Sequence, residues 1–238
     1  MSQVKLLPVE VINNGDAIKA KEVFGWTDDL ATSVADWYFR LNGFLTWRNY
    51  ILHKSQSGGG NPLTDADIVG ARYRYRSELA TSSKGPLHDD EVLAGVEIAF
   101  CEVKSGQINI NGPWSNPSSG CIQEALRAVG CVDPKEVDSV ASVLYSKREA
   151  IDGRCKIFAM GMRKPRDASQ AVPNMLLFCH VLRWIHNRFA KHGEFKKNVN
   201  SWDIVGRRLC NDAETPADKF VKQWIKLIRD DTKARHAQ

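Results

Sequence analysis

The stretch VEIAFCEVKSGQ, residues 96–107, begins as an apolar strand and then presents Glu102, Lys104 and Gln107. Side chains two apart on a strand leave from the same face, so the Glu102 carboxylate and the Lys104 ammonium emerge together. A charge buried alone costs several kcal/mol, so this acid and base must meet each other, water or an ion. Upstream, Asp67 stands in DADIVGARYRYR (65–76), a second strand whose alternation puts Asp65 on the same face. If the two strands are neighbours, Asp67, Glu102 and Lys104 converge at one sheet edge. Two carboxylates and a backbone carbonyl, that of Val103, form a hard oxygen site suited to Mg²⁺, with Mn²⁺ as a substitute. Such an ion lowers the pKa of a bound water and polarises a phosphoryl oxygen. A lysine beside it orients or deprotonates the water and stabilises charge on the phosphate. The chemistry indicated is hydrolysis of a phosphodiester.

The tripeptide alone is not specific. Asp133-Pro134-Lys135, Glu194-Phe195-Lys196 and Asp231-Thr232-Lys233 also read acid, any residue, lysine. These fall at a helix start, in a polar loop and in a charged tail. Only Glu102-Val103-Lys104 follows an apolar strand and is preceded by another strand carrying an aspartate. The competing explanation is a same-face salt bridge on a half-exposed strand, worth little energetically.

Elements on either side must position these residues. TDDLATSVADWYFRLN (27–42) reads as a helix, with Thr27 as cap, acids in the first turn and Gly43 as the stop. FLTWRNYIL (44–52) reads as a strand, and KSQSGGGNP (54–62) as a connection lacking the Lys-Ser/Thr of a phosphate-binding loop. In the 65–76 strand, Arg72, Arg74 and Arg76 take the face opposite Asp67 and are candidates for phosphate contacts. Helices follow at 121–130 and 134–146, then a strand at 155–162 (CKIFAMGM). NMLLFCHVLRWIHNRFAKHG (174–193) reads as helix throughout. TPADKFVKQWIKLIRDD (215–231) reads as a helix with a capping box of Thr215 and Asp218 and Pro216 at its first position. The order is an α/β domain, residues 1–165, with a helical extension over 166–238 packing on it.

At 238 residues with 43% hydrophobic content, the chain is long enough to bury a core without disulfides. The six cysteines form no CxxC pair and read as reduced, mostly buried side chains. His180, His186 and His192 recur every six residues, the wrong spacing for two helical ligands of one metal. No run is long and apolar enough to span a bilayer, and MSQVKLLPVEV has no leader pattern, so a cytoplasmic protein is expected. Residues 1–150 carry 15 Lys/Arg and 19 Asp/Glu, a net of −4, whereas 151–238 carry 18 and 9, a net of +9. That asymmetry points the C-terminal part at a polyanion. Lys196, Lys197, Arg207 and Arg208 are the cations singled out there for steering nucleic acid. Trp184, Trp202 and Trp224 fit core positions on amphipathic helices better than base-stacking platforms.

Together, LTDADIVGARYRYR, EIAFCEVKSGQ, the following helix and CKIFAMGM resemble the PD-(D/E)XK nuclease superfamily over roughly residues 27–163. The resemblance implies a restriction-endonuclease-like fold, a mixed central sheet flanked by helices. It implies a Mg²⁺-dependent phosphodiesterase, with Asp67 and Glu102 binding metal and Lys104 serving catalysis. Asp65 occupies the position before the metal-binding aspartate, where many members carry an acid, and Gln107 falls where some place a polar residue near substrate. Many members also hold metal with a glutamate in the opening helix; here that helix offers only Asp28, Asp29 and Asp36, of which Asp36 lies closest to the expected turn. DNA is the favoured substrate, cut as an endonuclease in a restriction, repair or antiviral defence system. The alternatives are a non-catalytic nucleic-acid-binding or assembly subunit on the same fold, or an effector held inactive until a ligand or partner releases it. The helical extension offers a docking place for a second copy or a partner protein.

Overall fold

The computed structural model describes residues 29–53, 62–74, 88–167, 172–193 and 202–237. Helix α1 (Leu30–Leu41) is capped by Asp29, whose carboxylate accepts from the backbone N–H of Ala31 at 2.7 Å and of Thr32 at 3.1 Å. Thr27, the expected cap, lies outside the described residues, and the acid precedes the first turn rather than filling it. Gly43, at φ 81, turns the chain directly into the sheet.

Strands β1 (Leu45–His53) and β2 (Pro62–Ala71) pair antiparallel, and β2 pairs antiparallel with β3 (Ile98–Gln107). After the one-turn helix α2 (Gly112–Ser115), helices α3 (Cys121–Val129) and α4 (Val137–Lys147) cross over. They lead past the two-residue β4 (Glu149–Ala150) to β5 (Cys155–Arg163), which lies parallel to β3. The sheet order is β1-β2-β3-β5-β4, with β6 (Met175–Leu177) also on β5. Chain order then continues through α5 (Phe178–His192), α6 (Ile204–Asp212) and α7 (Ala217–His236). The result is a six-stranded mixed sheet between helices on both faces.

Two apolar layers hold it. One face packs Val69, Phe100 and Ile157 against α3 and α4 through Ile122, Leu126 and Leu144. The other packs Ile68, Val103 and Phe158 against α1 and α5–α7 through Val34, Phe39, Leu182, Leu209 and Trp224. The C-terminal helices therefore share one continuous core with the sheet. Trp224 is fully buried, and Trp184 and Trp202 pack on the same cluster, which makes all three tryptophans core residues. Four of the six cysteines are buried, and all six are free.

Several elements differ from the sequence expectation. Residues 175–177 are strand rather than helix, parallel to Ala159–Gly161 of β5. A short apolar run fits either period, and the unpaired edge of β5 decides it. Thr215 does not form a capping box; its hydroxyl donates to the Asp212 carbonyl, and Pro216 is the N-cap of α7. Helix α6 was not legible as an element; it begins at Asp203, whose carboxylate accepts from the Gly206 N–H at 2.8 Å. The 65–76 strand ends at Ala71, so Arg72 and Arg74 lie past its last residue.

Candidate functional site

The β2–β3 ladder is registered at Ala71↔Ile98 through Ile68↔Cys101 and stops there. The next residue of β2 is Asp67, and the next of β3 is Glu102. On the outer side, Asn49 of β1 takes a left-handed backbone, φ 50, opposite Asp67 in the β1–β2 register. The alternation of β2 breaks at the same point. Ile68 packs on the α1 side, whereas Ala66 joins Val69 and Leu52 on the α3 side. The bent hairpin peels from β3 and opens a fork with Asp67 at its apex.

Inside the fork, Asp67 Oδ2 accepts the Val103 N–H at 2.6 Å, replacing the ladder bond that the bend removes. The N–H and C=O of one strand residue point to the same side, so the Val103 carbonyl also faces the fork. Lys104 Nζ donates to Glu102 Oε2 at 3.1 Å and stands 4.0 Å from Asp67 Oδ2. Beyond Lys104, β3 swings across Gly161, its partner in register. A Cβ at Gly161 would lie 2.8 Å from Ile108 Cγ1 and 3.2 Å from the Lys104 carbonyl oxygen.

Glu102 is 2% exposed and its Oε1 has no hydrogen-bond partner. Burial pushes its carboxyl up to about 7; Lys104 offsets part of this, while Asp67 and Asp65 add to it. Asp67 is also raised by burial, against the lowering effect of the Val103 N–H and Lys104. This is not the weak, half-exposed salt bridge that sequence allows. It is two desolvated carboxylates sharing one ammonium, with an oxygen left over.

Of the accessory residues, Asp65 is exposed; its backbone carbonyl accepts from Trp114 Nε1 at 3.2 Å, and its charge raises both site carboxyls. Gln107 is half-buried opposite Arg163, at the shifted end of the β3–β5 ladder. Asp36 belongs elsewhere: it is buried, accepts from the Thr46 hydroxyl and lies 3.6 Å from Arg40 and 3.8 Å from Arg48. It fixes α1 to β1. The α1 acid that does act on Asp67 is its cap, Asp29.

One of the arginines proposed to track phosphate is structural, and a second is paired at the surface. The Arg72 guanidinium is buried, donating to the carbonyls of Val96 at 2.6 Å, Asn42 at 3.1 Å and Leu93, and pairing with Asp89 at 2.8 Å. Arg74 pairs with Glu97 at 2.6 Å. Arg208 pairs with Asp212 at 3.5 Å and lies over the Trp224 ring, whereas Arg207 is exposed. Arg76, Lys196 and Lys197 lie outside the described residues. The spaced histidines hold the fold: His180 bonds Asp90 at 2.7 Å and His186 bonds the Thr215 carbonyl at 2.7 Å.

Among the described residues, no three His, Cys, Asp or Glu side chains group closely enough to hold an ion. The fork's donors are two carboxylates and one carbonyl, and they include an unsatisfied buried oxygen. That set fits Mg²⁺, which is commonly held by one or two carboxylates with water and phosphate oxygens completing its shell. An open cleft of about 510 Å³ lies past the end of β3, lined in part by Asn109, Tyr145 and Arg148, and includes none of the three fork residues. No helix among the described residues is long and apolar enough to cross a membrane. Set against known proteins, the chain matches no family model, no curated protein and no solved structure.

Proposed function

We propose that this protein is a Mg²⁺-dependent nuclease of the restriction-endonuclease-like type, hydrolysing phosphodiester bonds in DNA at the β2–β3 fork, in the cytoplasm. The observation that carries this reading is Glu102: buried, raised to about 7, and keeping one oxygen without a partner. A buried carboxylate held this way costs stability, and such cost is characteristic of sites built for a ligand. Asp67, Glu102 and the Val103 carbonyl would hold the ion. A divalent ion there supplies Lewis-acid polarisation of a phosphoryl oxygen and an acidified water.

The chain's own residues do the rest. Glu102 must be ionised to bind a cation, so its raised pKa makes occupancy rise with pH through neutrality. Lys104 keeps the two carboxylates from repelling in the absence of metal. With substrate present, its ammonium is positioned to orient the attacking water and to neutralise charge on the non-bridging oxygens. Asp67 is held at one oxygen by the Val103 N–H, so its carboxylate enters the site already oriented.

A binding or assembly subunit on the same fold is the second reading, and it draws on the 3.1 Å Lys104–Glu102 contact, which balances charge without metal. The two separate in one assay. Purified protein is incubated with supercoiled plasmid and linear single-stranded DNA in Mg²⁺, Mn²⁺ or chelator, beside Lys104→Ala. Metal-dependent cutting that disappears in the variant is expected. Cutting that persists in Lys104→Ala would sink the mechanism.

A further inference from the structure

Helix α7 buries Phe220, Val221, Trp224 and Ile228 against the domain. On its opposite side stand Lys219, Lys222, Lys226, Arg229 and Lys233, all exposed. Their spacing of three, four, three and four residues confines them to an arc of about 80° at 100° per residue. The row is about 21 Å long at 1.5 Å per residue. Arg235 on the same helix is paired with Asp231 at 3.0 Å, but none of the five makes an ion pair among the described residues. Asp218 and Asp230 flank the row, and Asp218 is already engaged by Arg183 at 2.5 Å. A solvated helix ordinarily alternates its charges, since like charges at i,i+4 destabilise it. Five cations in register along one face accept that repulsion.

We infer that the outer face of α7 is a docking surface for a nucleic-acid backbone, with Lys219, Lys222, Lys226, Arg229 and Lys233 each facing a phosphate. A regular row of point charges suits a regular row of phosphates. The row contains no apolar side chain, so it lacks what an amphipathic helix needs to insert into a lipid surface. Its C-terminal end also leads toward the fork. Asp231 accepts the Leu30 N–H at 3.1 Å, which seats the last turns of α7 on the start of α1, beside Asp29, whose charge acts on Asp67. The surface stands on its own observations; it rests on the nuclease reading only in taking the bound strand to be the one presented to Asp67 and Glu102.

The test is binding of a short fluorescent DNA duplex in chelator, across a salt series, by wild type, Lys222→Gln/Lys226→Gln, Arg229→Gln/Lys233→Gln and Glu102→Gln. Each phosphate contact contributes about 0.9 to the slope of log K against log salt, so five contacts give a slope of about −4 to −5. Each double variant is expected to melt like wild type and to bind with a slope shallower by about 2. Glu102→Gln removes no cation and is expected to keep the wild-type salt slope. Unchanged affinity and slope in both double variants overturns the inference, as does wild type that binds anionic lipid vesicles but not the duplex. Absence of metal-dependent cutting by wild type would instead refute the nuclease reading, and cutting by Glu102→Gln in Mg²⁺ would refute its placement at the fork; both leave the surface intact.

Discussion

Replacing Glu102 with Gln keeps the shape of the side chain and removes its charge, which makes the free energy stored at the fork measurable. The carboxyl is displaced from an ordinary 4.5 to about 7 by burial, only partly offset by Lys104. That displacement corresponds to about 3 kcal/mol between its ionised and neutral forms. A raised carboxyl means that the folded protein binds the proton more tightly than the unfolded chain. Below pH 4.5 both states are protonated and nothing is lost. Between 4.5 and about 7 the unfolded chain ionises first and stability falls as pH rises. Above that window the full destabilisation of about 3 kcal/mol is present. For a chain of this size each kcal/mol moves the melting temperature by about 2–4 °C. Paired thermal melts of wild type and Glu102→Gln, in chelator, should therefore show a difference that grows in favour of the variant by roughly 6–12 °C from pH 4.5 to pH 8. The other raised carboxyls are common to both proteins, so the difference reports Glu102 together with its repulsion of Asp67. A difference that does not change with pH would refute the account of a desolvated, costly carboxylate. Mg²⁺ should raise the wild-type melting temperature at pH 8 and leave the variant's unchanged.

Arg72→Ala should cost about 3 kcal/mol or more in a denaturant melt, because it strips a buried cation from three carbonyls and Asp89. The folded fraction should bind DNA with the wild-type salt slope, and a shallower slope would restore Arg72 to the phosphate surface. Gly161→Ala places a methyl 2.8 Å from Ile108 and against the Lys104 backbone. It should destabilise by about 1–3 kcal/mol and slow cutting at temperatures where the protein remains folded, as read by a melt and a plasmid assay.

The meeting of Asp67, Glu102 and Lys104 was the most legible feature of this chain. Glu102, Lys104 and Asp67 stand out because charged residues inside apolar, β-branched stretches conflict with burial, and strand periodicity fixes which of them share a face. Helix α1, the α3–α4 pair and the succession of the longer strands followed from equally local signals: apolar spacing, Gly43 as a stop, and turn residues between.

The local pattern failed where a distant partner made the decision. Residues 175–177 became a strand because β5 had a free edge. Arg72 looked like a surface cation on an alternating strand, yet the ladder ended at Ala71 and the carbonyls of Asn42, Leu93 and Val96 captured it. Asp36 found its partners for the same kind of reason. Helical spacing places Asp36 on α1, but only packing against β1 gives it its Thr46 partner. Local pattern was enough to pick out the charged groups that share a face and the strands that carry them. The tertiary structure alone decided the distances, the desolvation and the unsatisfied oxygen, because these depend on which backbones stop pairing and what then closes around the gap.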